Sequence, residues 1–209
     1  MTTQEKNGIT EGVIWKQLLI FFFPILVGSF FQQLYNTVDS VIVGQFVGKE
    51  ALSSVGGSAG QIISLVVGFF TGVSTGATVI ISQYFGAGKK EEIEESLHTA
   101  YAFALVGGLV LGIAGIVFAP QMLRWMNTPE ELIAESVLYV RVYFSGLIFI
   151  FIYNMGAAIL RAVGDSKRPL YYLIVCSVVN IILDLLLILV IPLGVLGAAI
   201  ATLIAQAVS

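Results

Sequence analysis

The apolar run from Leu170 to Pro192 contains an aspartate, Asp184, and an asparagine, Asn180, four residues before it. A carboxylate in the hydrocarbon interior of a membrane costs several kcal/mol, about 2.5–3.5 on the gentlest scales. In a helix, residues four apart share a face and lie one turn from each other. Whatever faces Asn180 and Asp184 therefore decides what this chain can be.

The chain has 209 residues, 57% hydrophobic and 11% charged, whereas an ordinary soluble domain carries roughly 25% charged residues. That balance excludes a soluble globule. Net charge is −3, and the only block of like charge is Glu91, Glu92, Glu94 and Glu95, so no nucleic-acid partner is expected. The single cysteine, Cys176, lies inside an apolar run and has no partner for an internal disulfide. The start, Met1 to Gln17, lacks the basic region and small-residue cleavage site of a signal peptide and is read as mature protein.

Spanning about 30 Å of hydrocarbon takes about 20 helical residues. Apolar runs at about 15–43, 51–85, 97–119, 134–159, 170–191 and 194–209 predict an all-α polytopic membrane protein, a bundle of six transmembrane helices in a single lobe covering 1–209. The second run is long enough for either a hairpin of two short spans or one long tilted helix. Charge decides. With six spans, Lys6, Lys16, Lys89, Lys90, Arg161, Lys167 and Arg168 fall on one side, against Lys49 and Arg124, with Arg141 near a helix end. The positive-inside rule then selects one long helix and a cytoplasmic N-terminus in a multi-pass protein of the cell inner membrane. The last run, about 16 residues with no charge after it, is expected to be cut within or just after helix six.

Gly56, Gly60, Ser64, Gly68, Gly72 and Gly76 recur every fourth residue and predict a small-residue ridge against which a neighbouring helix packs. A substrate-lining role is the alternative. Gly107, Gly108, Gly112 and Gly115, and Gly197, Ala198, Ala201 and Ala205, belong to the same packing vocabulary.

Two of the acids, Asp39 and Asp184, fall well inside predicted spans rather than in tails, loops or at a span's end. At about 1.5 Å per residue, Asp184 lies roughly 12 Å and Asp39 roughly 8 Å below the outer end, with Thr202 roughly 12 Å and Tyr139 roughly 8 Å deep on helices six and four. Four helices thus bring carboxylate, amide and hydroxyl oxygens to one level, the donor set of a proton relay or an oxygen-coordinated cation. No His or Cys cluster favours a transition metal. The bland alternative is a structural pair hydrogen-bonded to Asn180, Tyr139 or Arg141, although Arg141 is expected to snorkel outward. Gln32, Gln33, Tyr35 and Asn36 are expected to face a cavity or the bundle interior, and His98 to begin helix three at the cytoplasmic edge. Pro24 removes a backbone hydrogen bond in helix one and predicts a kink there.

Those segments together resemble the multidrug and toxic compound extrusion (MATE) transporters. The carrying stretches are Pro24 with Gln32-Gln33-Leu34-Tyr35-Asn36-Thr37-Val38-Asp39, Ser82-Gln83-Tyr84-Phe85-Gly86-Ala87-Gly88, and Leu160-Arg161-Ala162-Val163-Gly164-Asp165-Ser166-Lys167-Arg168-Pro169. Asn180-Ile181-Ile182-Leu183-Asp184 and Gly197-Ala198-Ala199-Ile200-Ala201-Thr202 complete the set. The resemblance implies twelve helices in two lobes, of which this chain looks like the N-terminal one, and so a second lobe as partner. It implies no enzyme activity and no cofactor, but export of organic cations or other amphipathic compounds in exchange for Na+ or H+. The coupling site it implies is Asp39, Asn180, Asp184 and Thr202, with Tyr139 nearby, Gln33 and Asn36 lining the site or cavity, and Pro24 as the helix-one kink. The alternative within that architecture is a flippase of lipid-linked glycan or lipid precursors, disfavoured by spans almost free of Lys and Arg. An intramembrane aspartyl protease lacks its Gly-x-Gly-Asp and Tyr-Asp signatures here, and a non-transporting packing module would bind no cation.

Overall fold

The computed structural model describes residues 13–209, and those residues are helical almost throughout. Lys6, counted above among the basic residues of one side, lies outside them. The helices are α1 (Ile14–Ile42), α2 (Lys49–Gly56), α3 (Ser58–Gly86), α4 (Lys90–Trp125), α5 (Glu130–Ser145), α6 (Leu147–Ala162), α7 (Lys167–Asp184) and α8 (Val195–Val208). Wider π-helical turns, Val43–Val47 and Leu185–Val190, continue α1 and α7.

By length and composition, α1 with its π turn, the pair α2–α3, α4, and α7 with its π turn can each cross a membrane. The bent pair α5–α6 makes a fifth span if taken as one, and α8 is a shorter apolar helix. The chain is therefore an all-α polytopic membrane protein. No hairpin divides the second run; α2 and α3 are separated only at Gly57, where a Cβ would collide with the Ser53 carbonyl oxygen.

Two expectations are corrected. The stretch 134–159, read as one helix, is two, bent by 49° between Ser145 and Leu147. The break falls on Gly146, whose missing side chain leaves Leu203 of α8 close; a Cβ there would lie 3.0 Å from Leu203 Cγ. The third helix starts at Lys90, not near 97, and ends at Trp125. Its first turn carries Glu91 and Glu92, which suit the positive end of a helix dipole. His98 thus sits two turns inside α4, exposed, with Nδ1 2.9 Å from the Glu94 carbonyl oxygen.

The core lies where α4 meets the α5–α6 bend and α3. Phe70 of α3 stacks on Phe151 of α6, ring centroids 3.3 Å apart and 13° from parallel, and both rings are fully buried. Four glycines of α4 make the close approach possible: a Cβ would lie 2.8 Å from the Phe70 ring at Gly107, 2.8 Å from Ile148 Cα at Gly108 and 2.9 Å from the Phe144 carbonyl oxygen at Gly112. At Gly115 it would overlap the Phe144 ring. Elsewhere α1 packs on α7, α7 on α8, and α5 on α8 and α2.

The small-residue ridge that begins at the end of α2 and continues along α3 behaves otherwise. Nothing lies within 4 Å of a Cβ placed at Gly56, Gly68, Gly72 or Gly76, and all four are exposed. The expected packing of a neighbouring helix on this ridge does not occur among the described residues, because periodicity identifies a face and not its occupant.

The two sets of glycines make opposite predictions. Gly115→Ala should lower the melting temperature in detergent clearly, since overpacking a core costs about 1–3 kcal/mol. Gly72→Ala should leave it unchanged or raise it slightly, because Ala is favoured over Gly in a helix by roughly 0.5–1 kcal/mol. Thermal unfolding followed by size-exclusion chromatography reads both; equal losses would contradict this division of the glycines.

Candidate functional site

One stripe of α1 turns inward: Pro24 and Gly28 are buried, Tyr35 and Asp39 half-buried, and Ile42 and Val43 buried. The steps between them are those of a single helix face, with Gln32 on the same line. Gly28 lets α7 come close, since a Cβ there would touch Leu173 at 3.5 Å and Leu170 at 3.6 Å. Pro24 is buried within a helix that continues through it.

The α1–α7 contact brings the carboxyl groups of Asp39 and Asp184 against each other. Asp184 is completely buried and Asn180, one turn earlier on α7, is 1% exposed. Tyr139 of α5, 6% exposed, lies within electrostatic range of both acids, with the Tyr143 ring 6.3 Å away.

This cluster is short of hydrogen-bond partners. Asp39 Oδ1, both carboxylate oxygens of Asp184, and both Oδ1 and Nδ2 of Asn180 are buried without one. Leaving a buried polar group unsatisfied costs about 1–3 kcal/mol, more when it is charged. A proton or a small hard cation between the carboxyl groups supplies what the protein does not, and oxygen donors are the correct type for either. Among the described residues no group of three or more His, Cys, Asp or Glu side chains gathers to hold a metal.

Each acid also stands just before a π-helical turn. Gly48 N–H donates to the Val43 carbonyl oxygen and Ile191 N–H to that of Leu186, each five residues back, at 3.1 and 3.0 Å. The two π turns pack against each other at the end of the bundle beyond the acids. π turns accompany functional sites in many helices. Nothing in the residue pattern announces these two.

Thr202 is half-buried on α8, and no hydrogen bond joins it to the acids. Gln33 and Asn36 are exposed on α1 rather than in the bundle interior, because they lie off the stripe that carries Tyr35 and Asp39. Arg141 does not pair with the acids; its Nε donates to the Ile116 carbonyl oxygen at 3.1 Å. A cavity of about 260 Å3 opens between α1, α6 and α7, lined by Gln32, Tyr35, Tyr143, Tyr153, Asn154 and Cys176 among others. Tyr143 and Tyr153, inside the apolar run 134–159, were not singled out in the sequence.

Comparison with known proteins bears on what such a bundle does. The MatE family matches residues 24–186. This chain belongs to the MatE family. It is 34% identical over 208 residues to the probable multidrug resistance protein YoeA of Bacillus subtilis (strain 168), covering 98% of this chain and 44% of that protein. A second B. subtilis (strain 168) protein, the probable multidrug resistance protein YpnP, is 34% identical over 203 residues, 96% of this chain and 45% of that one. An outward-facing multidrug resistance MATE family transporter of the MOP superfamily superimposes with a TM-score of 0.91 at 27% identity, over 99% of this chain and 45% of that structure. The MatE chain thus spans about half the length of the curated relatives it matches. Family members are transporters and not enzymes, and these relatives give no support to the lipid-precursor flippase.

Because the acid pair is short of partners, neutralising it relieves the bundle. Asp39→Asn and Asp184→Asn should each raise the melting temperature by a few degrees in Na+-free buffer at pH 8, because like charges at one buried site oppose each other. A clear drop in either variant would show that the carboxylates hold the fold together instead.

Proposed function

We propose that residues 1–209 of this MatE chain form one six-helix lobe, the N-terminal one, of a two-lobed antiporter that exports amphipathic or cationic small molecules across the cell inner membrane. Na+ or H+ held by Asp39, Asn180 and Asp184, with Thr202 as a neutral oxygen donor, drives that export. The observation carrying this reading is the apposition of half-buried Asp39 and buried Asp184, with Asp39 Oδ1 and both Asp184 carboxyl oxygens buried and unsatisfied. The names of the relatives, multidrug resistance proteins and a multidrug resistance transporter, support the substrate class. The open ridge at Gly68, Gly72 and Gly76 and the exposed Gln33 and Asn36 suit a face turned toward a second lobe and the cavity between lobes.

The orientation has support of its own. A cavity lined by Ile14 and Gln17 of α1, Phe85 and Gly86 of α3, and Arg161 and Gly164 gathers those helix ends on one side of the bundle. It is the side of Lys16, Lys89, Lys90, Lys167 and Arg168, and the positive-inside rule makes it cytoplasmic.

The proposed cycle begins with the acids accessible from outside. A proton or Na+ binds between the carboxyl groups, removes their mutual repulsion and lets α1 and α7 close on each other. Pro24, which removes a hydrogen bond from α1, is where that helix changes shape most cheaply. Substrate bound between the lobes is then released outward.

Efflux of a cationic dye from vesicles containing the complete protein tests the reading. Asp39→Asn and Asp184→Asn should each reduce the initial rate at least tenfold while leaving insertion intact. Wild-type rates in both variants would remove the acids from the mechanism. Stimulation by an inward Na+ gradient at constant pH identifies Na+ as the coupling ion, and stimulation by an inward proton gradient without Na+ identifies H+.

A further inference from the structure

Arg161, in the last turn of α6, carries a charge that no carboxylate among the described residues pairs with. The ion pairs among the described residues are Lys89–Glu92 and Arg168–Asp165. Asp165, the nearest carboxylate in sequence, is fully engaged: Oδ2 lies 3.1 Å from Arg168 Nε, and Oδ1 accepts the backbone N–H groups of Lys167 and Arg168 at 3.1 Å each. The guanidinium is not needed as a helix cap either. The final carbonyls of α6 already accept backbone N–H groups, Ile159 from Val163, Leu160 from Asp165 and Arg161 from Gly164.

Arg161 is nevertheless half-buried, and three cavities open onto it. One of about 260 Å3 rises between α1 and α7, one of about 380 Å3 lies between the ends of α1 and α3, and one of about 390 Å3 runs between α3 and α6. The third has a distinctive chemistry. Its α3 wall is a ladder of hydroxyls, Thr71, Ser74, Thr75, Thr78 and Ser82, and Phe21, Ala158 and Ala162 supply apolar surface. Four of those hydroxyls donate to their own helix: Thr71 to Val67, Thr75 to Thr71 and Thr78 to Ser74 at 2.9 Å, and Ser82 to Val79 at 2.9 Å. Ser74 is the exception. It is 3% exposed, and its Oγ has no partner.

Asn154 also lines this groove, its Nδ2 donating to the Ile150 carbonyl oxygen at 2.8 Å; the Arg161 guanidinium and the Ser74 hydroxyl are the donors here that have no acceptor among the described residues. A guanidinium offers a rigid planar fork that matches a carboxylate or phosphate bidentately. We propose that the α3–α6 groove is a binding site for the anionic head, carboxylate or phosphate, of an amphipathic molecule, with Arg161 as its anchor and Ser74 as a second donor. The apolar body lies along Phe21, Ala158 and Ala162. The site does not depend on ion coupling at Asp39 and Asp184. It extends the compounds this lobe handles from cations to zwitterions and amphipathic anions, or marks a seat for an anionic lipid headgroup of the inner leaflet.

The test uses the complete transporter in phosphatidylcholine nanodiscs and two fluorescent probes, 2-naphthoate and its neutral counterpart 2-naphthamide, with empty nanodiscs subtracted. Wild type should bind naphthoate at least tenfold more tightly than naphthamide. Arg161→Gln should abolish that preference without changing naphthamide binding. Arg161→Lys, which keeps the charge and loses the fork, should retain part of it, and Ser74→Ala should weaken naphthoate binding a few-fold. Asp39→Asn should leave the preference intact, so a failure of the coupling reading is seen separately. If phosphatidylglycerol in the disc displaces naphthoate from wild type but not from Arg161→Gln, the natural occupant is a lipid headgroup; without displacement it is a soluble anion. Equal binding of the two probes by wild type, or an undiminished preference in both Arg161→Gln and Arg161→Lys, overturns the proposal.

Discussion

The bundle depends on how closely α4 approaches the bend between α5 and α6. In lipid there is no hydrophobic gain from pressing one apolar helix on another, so close packing and shape carry the association. Gly107, Gly108, Gly112 and Gly115 let the backbone of α4 reach the Phe70 ring, the Ile148 backbone and the Phe144 carbonyl and ring. Phe70 in turn stacks on Phe151, which ties α3 to α6. With α5 held on one side of Gly146 and α6 on the other, Tyr139 faces the acid pair while Arg161 lies at the far end of the same bent rod.

Around that frame the polar residues fall into two groups of opposite character. Toward one end, Asp39, Asn180 and Asp184 present oxygens lacking a positive partner. Toward the other, Arg161 and Ser74 present donors lacking a negative one. Neither imbalance is corrected by the other, because α6 separates them along its length. A transporter must leave such imbalances open, since a fully satisfied site has nothing to offer an ion or a ligand.

The centres of the helices were legible because apolar runs of membrane length admit little else. Their ends and breaks were less so. Glu91 to Glu95 read as a loop because charges usually mark one, yet at a helix N-terminus acids are welcome, and α4 begins at Lys90. Gly146 is one of 22 glycines, and only the approach of Leu203 singles it out. Asp39 and Asp184 announced themselves as carboxylates in apolar runs, and matched depth was enough to make them partners. Gln33 and Asn36, expected in a cavity or the bundle interior, are exposed on α1; the spacing from Pro24 through Gly28, Tyr35 and Asp39 already put them off the inward stripe, which leaves the interior out. The π turns after each acid left no trace, since they depend on how helix ends pack and not on residue type.

The glycines of α3 and α4 look alike in sequence but answer to different surroundings. Those of α4 are constrained by atoms of the same chain, and any sequence that folds this lobe must keep them small. Those at Gly68, Gly72 and Gly76 meet nothing here, so folding of the lobe alone exerts no pressure on them. Drift in the first set should therefore be accompanied by compensating changes at residues 70, 144 and 148, whereas drift in the second should track residues outside this chain. Covariation in the family would then separate the rules for building a lobe from the rules for joining it to something else.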